Sequence, residues 1–129
     1  VTLPCMFSLR IERTFSAAHA IVLGGEREAL HGHDWRVRMT VEGDQLDGDG
    51  LLCDFHLLER VLDSAIAPLR DSNLNDVAVL AGINPTAENV ALYLTSTVAG
   101  DLPPAIRRLR LAITEAPGCE AAVTQELTT

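Results

Sequence analysis

The chain predicts an α+β fold: two amphipathic helices on one face of an antiparallel sheet, in the order β-β-α-α-β-β. Three observations carry this. Two long stretches near the start alternate with a period of two, two capped stretches in the middle repeat at helical spacing, and two further alternating segments follow them. Elements grouped in that way put the helices together on one side of the sheet.

The first strand is read over Phe7 to Phe15. Phe7, Leu9, Ile11 and Phe15 share one face, with Ser8, Arg10, Glu12 and Thr14 on the other, the signature of a half-buried strand. Phe15-Ser-Ala-Ala-His19 follows it, and the mixed stretch Ala20 to Leu30 is read as a loop hinged at Gly24-Gly25. Asp34 to Gly43 repeats the alternation, with Trp35, Val37, Met39 and Val41 opposed to Arg36, Arg38, Thr40 and Glu42. Gly43 to Gly50 is dense in turn-forming residues and reads as a solvated connection. Its acidic spacing does not match an EF-hand loop.

Asp54 is a competent N-cap for a first helix carrying Leu58, Val61, Leu62, Ala65 and Ile66, which Pro68 ends. A polar segment, Asp71 to Asp76, precedes Asn84-Pro-Thr86. Thr86 caps a second helix running to Ala99, with Val90, Ala91, Leu94 and Val98 as its buried stripe. Ile106 to Thr114 is the third strand, Pro117-Gly118 a turn, and Glu120 to Gln125 a short last strand.

At 129 residues the chain is expected to form one domain with its own core. Hydrophobic residues make up 47% and aromatic ones 4%, so that core is aliphatic. The net charge of −8 argues against nucleic acid and anionic membranes as partners. No apolar run approaches a membrane span, and the first residues lack a basic region followed by an apolar one. Cys5, Cys53 and Cys119 are odd in number and form no C-x-x-C, which points to a reduced, cytoplasmic protein.

The residues that carry chemistry are His19, His31 and His33. On a strand, i and i+2 share a face, so His31 and His33 present two imidazoles side by side. His19 adds a third from a neighbouring strand end. A lone His-x-His is more often packed or solvated than metal-bound. Three neutral nitrogens around an open fourth position describe a catalytic zinc site.

These histidines sit in a longer ordered pattern: Phe15-Ser-Ala-Ala-His19, Leu30-His-Gly-His33, Gly50-Leu-Leu-Cys-Asp-Phe55, Leu74-Asn75, Pro85-Thr-Ala-Glu-Asn89 and Thr114-Glu115. From about Phe7 to Val123 the chain resembles the 6-pyruvoyl tetrahydropterin synthase / 6-carboxy-tetrahydropterin synthase family. The resemblance implies the tunnelling fold (T-fold), whose subunits close into barrels, and so a homo-oligomer, trimer or hexamer. It implies Zn2+ on His19, His31 and His33, and a pterin-like small molecule held by Glu115. One carboxylate can accept from both the 2-amino group and N3–H of a pterin. Alone, Glu115 would read as a surface strand residue. Thr86 and Glu88 read as N-cap and first-turn acid, and the resemblance adds that their segment lines the pterin pocket.

The chain also departs from that pattern. The loop before His31 holds no cysteine, and Arg70 and Asp71 stand where the family has an aspartate–histidine pair. The ordinary synthase reaction is therefore not expected. Arg27-Glu-Ala-Leu-His31 resembles a variant branch in which a glutamate three residues before His-Gly-His replaces the cysteine. That branch cleaves the side chain of 7,8-dihydroneopterin-type substrates, and Glu28 would be its base. The alternative is a catalytically inactive pterin- or purine-binding module. Cys53 reads as a small buried hydrophobe, and Cys119 as a residue near the pocket without a base beside it.

Overall fold

In the computed structural model, which describes residues 5–127, the chain runs β1 (Phe7–His19), β2 (Val22–Leu23), β3 (Glu26–Arg27), β4 (His31–Gly43), α1 (Phe55–Ile66), β5 (Ser72–Asn73), a 3-10 turn (Ala78–Leu80), α2 (Ala87–Ala99), β6 (Arg108–Ala116) and β7 (Cys119–Glu126). The expected strand–strand–helix–helix–strand–strand order stands. Its two long strands extend further toward the histidines than their alternation alone indicates. β1 and β4 pair antiparallel over their full lengths, from Phe7 opposite Gly43 to His19 opposite His31.

The five-stranded sheet has the order β5-β1-β4-β6-β7. Two features depart from the expected arrangement. The stretch read as a loop between β1 and β4 contains a small hairpin, β2 with β3, turned by Gly24 and Gly25, both at positive φ. The polar segment after α1 contributes β5, which pairs parallel to Ala17 and Ala18 at the end of β1.

Alternation is realised as burial. Ile11, Phe15, Trp35, Val37, Met39, Val41, Leu109, Leu111 and Ile113 turn toward the helices and are closed off by Leu58, Leu62, Ile66, Val90, Leu94 and Val98. Both N-caps form as expected. Asp54 accepts from the His56 N–H at 2.8 Å, and Thr86 Oγ1 from the Asn89 N–H at 3.1 Å. Val61 is only half-buried.

Arg13 falls on the apolar side of β1 by parity. It escapes burial at the rim, donating from Nε to Asp63 at 2.7 Å and from Nη2 to Glu59 at 2.8 Å on α1. Those carboxylates hold its guanidinium protonated far above neutral pH. The opposite sheet face is charged: Arg38 pairs with Glu12 and Glu120, and Arg110 with Glu120. Among the described residues no helix is long and apolar enough to cross a membrane.

Candidate functional site

β1 and β4 end together, and that pairing delivers the three histidines to one point. His19 lies opposite His31, and His33 follows two residues on, on the same face. One ring nitrogen from each of the three lies within 4.8 Å of the others. Trp35, fully buried, stands beneath them, with its ring edge-on to His19 at 4.9 Å and to His33 at 5.7 Å between centroids. Its indole N–H donates to the Ala17 carbonyl at 3.1 Å, which fixes the indole against β1.

Hydrogen bonding decides which nitrogen of His19 and of His31 faces the centre. His19 Nδ1 lies 2.8 Å from the Pro85 carbonyl oxygen, and His31 Nδ1 lies 2.9 Å from that of Ala29. A carbonyl can only accept, so each Nδ1 carries the hydrogen and each Nε2 is left with a lone pair. Such carbonyl anchors are the outer support typical of metal-bound imidazoles. Nε2 of His19 and of His33 are buried and have no hydrogen-bond partner among the described residues. An unsatisfied buried polar atom costs about 1–3 kcal/mol, and two facing one point fit a cation bound there. Burial also pushes the His33 imidazole below its usual pKa, opposed more weakly by Glu115. This favours the neutral form that a metal needs. The donor set therefore fits zinc.

Two carboxylates border the cluster. Glu28 Oε1 is 3.7 Å from His31 Nε2 and accepts the Ile21 N–H at 3.1 Å, while the Glu28 N–H donates to the Ile21 carbonyl at 3.0 Å. Its side chain is 30% exposed, so Glu28 is partly seated rather than a free loop residue. Glu115 reaches the cluster from β6, with Oε2 at 3.9 Å from His19 Nε2 and Oε1 at 4.0 Å from His33 Nε2.

Glu115 also borders two cavities. One, of about 560 Å³, is walled by Ile21, Leu23, Thr86, Ala87, Glu88 and Cys119. The other, of about 890 Å³, holds His33, Asp34, Arg36 and Arg38. The structure thus brings Glu28, His19, His31, His33 and Glu115 into one cluster. Thr86 and Glu88 share a cavity wall with Glu115. Cys119 lines that wall as expected, and Cys53 is buried, which pushes its thiol up.

Arg70 and Asp71 bond to β1, and Asp71 also lines a further cavity with His33 and Asp34. Arg70 donates to the Thr14 carbonyl at 3.2 Å, and the Asp71 N–H donates to that of Ser16 at 2.7 Å. Both serve to dock the segment leading into β5 against β1.

Two asparagines that sequence reasoning left without a role hold the Glu28 segment in place. Asn75 Oδ1 accepts the Ala20 N–H and its Nδ2 donates to the Ala20 carbonyl, each at 2.8 Å. Asn84 does the same for Val22, at 2.9 and 3.0 Å. A primary amide presents one acceptor and one donor side by side, so it can stand in for a strand neighbour. Asn84→Ala should leave the Val22 N–H and carbonyl without this partner. Amide hydrogen exchange is expected to accelerate across residues 22–27 and to stay unchanged in β1 and β4. Equal protection in wild type and variant would refute the clamp.

Residues 8–126 match the 6-pyruvoyl tetrahydropterin synthase family. The chain belongs to that family. Similarity to individual members of the 6-pyruvoyl tetrahydropterin synthase family runs along most of the chain. It is 35% identical over 102 residues to the dihydroneopterin monophosphate aldolase of Pyrococcus furiosus, covering 79% of this chain and 83% of that protein. The 6-pyruvoyl tetrahydropterin synthase of Plasmodium vivax superposes with a TM-score of 0.80 at 19% identity, over 95% of this chain and 99% of that one. That of Caenorhabditis elegans superposes at 0.79 and 20% identity, over 98% and 100%. These two likenesses show the fold: the α+β tunnelling fold expected from the resemblance.

Proposed function

We propose that this family member is a zinc-dependent lyase that cleaves the C6 side chain of a 7,8-dihydroneopterin-type substrate, with Glu28 as the base. The observation that carries the reading is the seat of Glu28. In a loop without cysteine, its carboxylate lies 3.7 Å from His31 Nε2 at the edge of the three-histidine cluster. The 35% identity to a dihydroneopterin monophosphate aldolase supports the same reaction class.

In this reading His19, His31 and His33 hold zinc through Nε2. When bound, the metal polarises a side-chain hydroxyl and stabilises the negative charge that develops on its oxygen. Glu115 accepts from the 2-amino group and N3–H of the pterin, discriminating against rings that leave the carboxylate unpaired. Ile21, Leu23 and Ala87 offer apolar wall to the flat ring, with Thr86 and Glu88 at the helix start beside them.

Glu28, steadied by the Ile21 N–H, takes the proton from the hydroxyl on the second side-chain carbon. The bond between the first and second side-chain carbons breaks, and its electron pair passes into the C6–N5 imine of the ring. The two-carbon fragment leaves as an aldehyde. Glu28 returns its proton to the first side-chain carbon, giving 6-hydroxymethyl-7,8-dihydropterin. Atoms and charge balance with no oxidant. Positioned bases of this kind contribute roughly 10²–10⁴-fold to a rate.

The reading extends to a single tunnelling-fold unit in a reduced cytoplasm, assembled as a homo-oligomer. An edge strand such as β7, open in the isolated subunit, is commonly paired or covered. The test is product identity. Zinc-loaded protein incubated anaerobically with 7,8-dihydroneopterin and with its monophosphate should release 6-hydroxymethyl-7,8-dihydropterin, identified by mass. Binding without any product would instead favour the inactive pterin-binding alternative, for which the replacement of the family's aspartate–histidine pair by Arg70 and Asp71 is the supporting observation.

A further inference from the structure

The position of Glu115 is not explained by ring recognition alone. β6 pairs with β4 only as far as Thr114 opposite Arg36, although β4 continues to His31. On its other side, β6 shifts register against β7 between Thr114 and Ala116. Glu115 therefore stands outside both ladders, at the kind of irregularity that re-aims a side chain. It is aimed at the histidines. Its two oxygens face different imidazoles, 3.9 Å from His19 Nε2 and 4.0 Å from His33 Nε2. Those are the two nitrogens that are buried and unpartnered.

The geometry points to Glu115 as a fourth protein ligand of the metal when no pterin is bound. The ligand assignment rests on the three-histidine metal reading, and its coupling to the pterin rests on the ring-holding role of Glu115 in the proposed function. With zinc–ligand bonds of about 2.0–2.1 Å, the ligand atoms of a tetrahedral site lie roughly 3.3 Å apart. The histidine nitrogens fall within 4.8 Å of one another, and the Glu115 oxygens stand to two of them at 3.9 and 4.0 Å. Each Glu115 oxygen thus stands to one histidine nitrogen at a separation shorter than the spread of the histidine set itself, so a shift of the carboxylate toward the centre brings it to the metal.

Glu28 does not compete for this role. Within 4.0 Å it approaches His31 alone among the three imidazoles, and its nearer oxygen already accepts the Ile21 N–H. The substrate-free site is then closed by three histidines and a glutamate. The donor edge of an arriving pterin draws Glu115 away and opens the fourth position. One carboxylate thereby couples ring recognition to metal exposure.

The test needs no turnover. Metal-free wild type, Glu115→Gln, Glu115→Ala and Glu28→Gln are each titrated with zinc against a chromophoric chelator, and with cobalt(II) followed by its visible absorption. Folding is checked by circular dichroism. Removing even a supporting partner of a ligand costs roughly 10- to 100-fold in affinity. Both Glu115 variants are expected to weaken zinc by at least that much and to alter the cobalt spectrum, while Glu28→Gln titrates like wild type. Equal affinity and spectra for wild type and the Glu115 variants would overturn the fourth-ligand assignment and leave the histidine reading standing. Failure of wild type to bind either metal would overturn both.

Discussion

Glu28→Gln is expected to abolish side-chain cleavage while leaving pterin binding close to wild type. Glutamine keeps an oxygen able to accept the Ile21 N–H, which Glu28 now receives at 3.1 Å, so the segment before His31 keeps its anchor. What disappears is the capacity to take and return a proton. The fall in kcat should therefore reach roughly 10²–10⁴-fold, the usual contribution of a positioned general base. Single-turnover kinetics with 7,8-dihydroneopterin, beside an equilibrium titration of the same ligand, separates the two quantities. A matched loss of binding and turnover would mean that Glu28 holds substrate instead. Unchanged turnover would remove it from the chemistry.

His33→Ala is expected to have the second largest effect, on the metal. His33 Nε2 is buried without a partner, and the same is true of His19 Nε2 across the cluster. Bound as proposed, zinc would satisfy both atoms in wild type, so its binding should stabilise the fold. At free zinc roughly 100-fold above Kd, linkage gives about 2.7 kcal/mol, an upward shift of several degrees in Tm for a domain of this size. In His33→Ala that shift should vanish, and turnover with it, while the metal-free variant remains folded. Trp35 and the β1–β4 pairing that carry the site do not depend on this imidazole for their hydrogen bonds. A zinc-dependent rise in Tm that survived in the variant would contradict the three-histidine site.

How far the sequence disclosed all this depends on the range of the interactions involved. β1, β4, α1 and α2 could be read because their cores are written at periods of two and 3.6. Asp54 and Thr86 announce their caps within three residues. His31 and His33 share a face by parity alone, and His19 joins them because β1 and β4 pair over thirteen residues each. The hairpin of β2 and β3 left no such mark. It is held by Asn75 and Asn84, amide side chains more than fifty residues away that bond to backbone a local pattern does not specify. β5 was hidden for a similar reason, since a two-residue parallel pairing to Ala17 and Ala18 has no periodicity of its own. Glu115 could be picked out only through the family resemblance. Its approach to the histidines depends on where β4 and β6 part company, which is a property of the assembled sheet.

In the proposed reaction Glu28 carries a proton from a side-chain hydroxyl to the adjacent carbon as the bond between two side-chain carbons breaks. Running the reaction anaerobically in D2O, with zinc-loaded protein and 7,8-dihydroneopterin monophosphate, tests it most directly. The expected product is 6-hydroxymethyl-7,8-dihydropterin with one non-exchangeable deuterium on the hydroxymethyl carbon, formed in equal amount with a two-carbon aldehyde phosphate. Substrate recovered unchanged, or a pterin that keeps all three side-chain carbons, would contradict it.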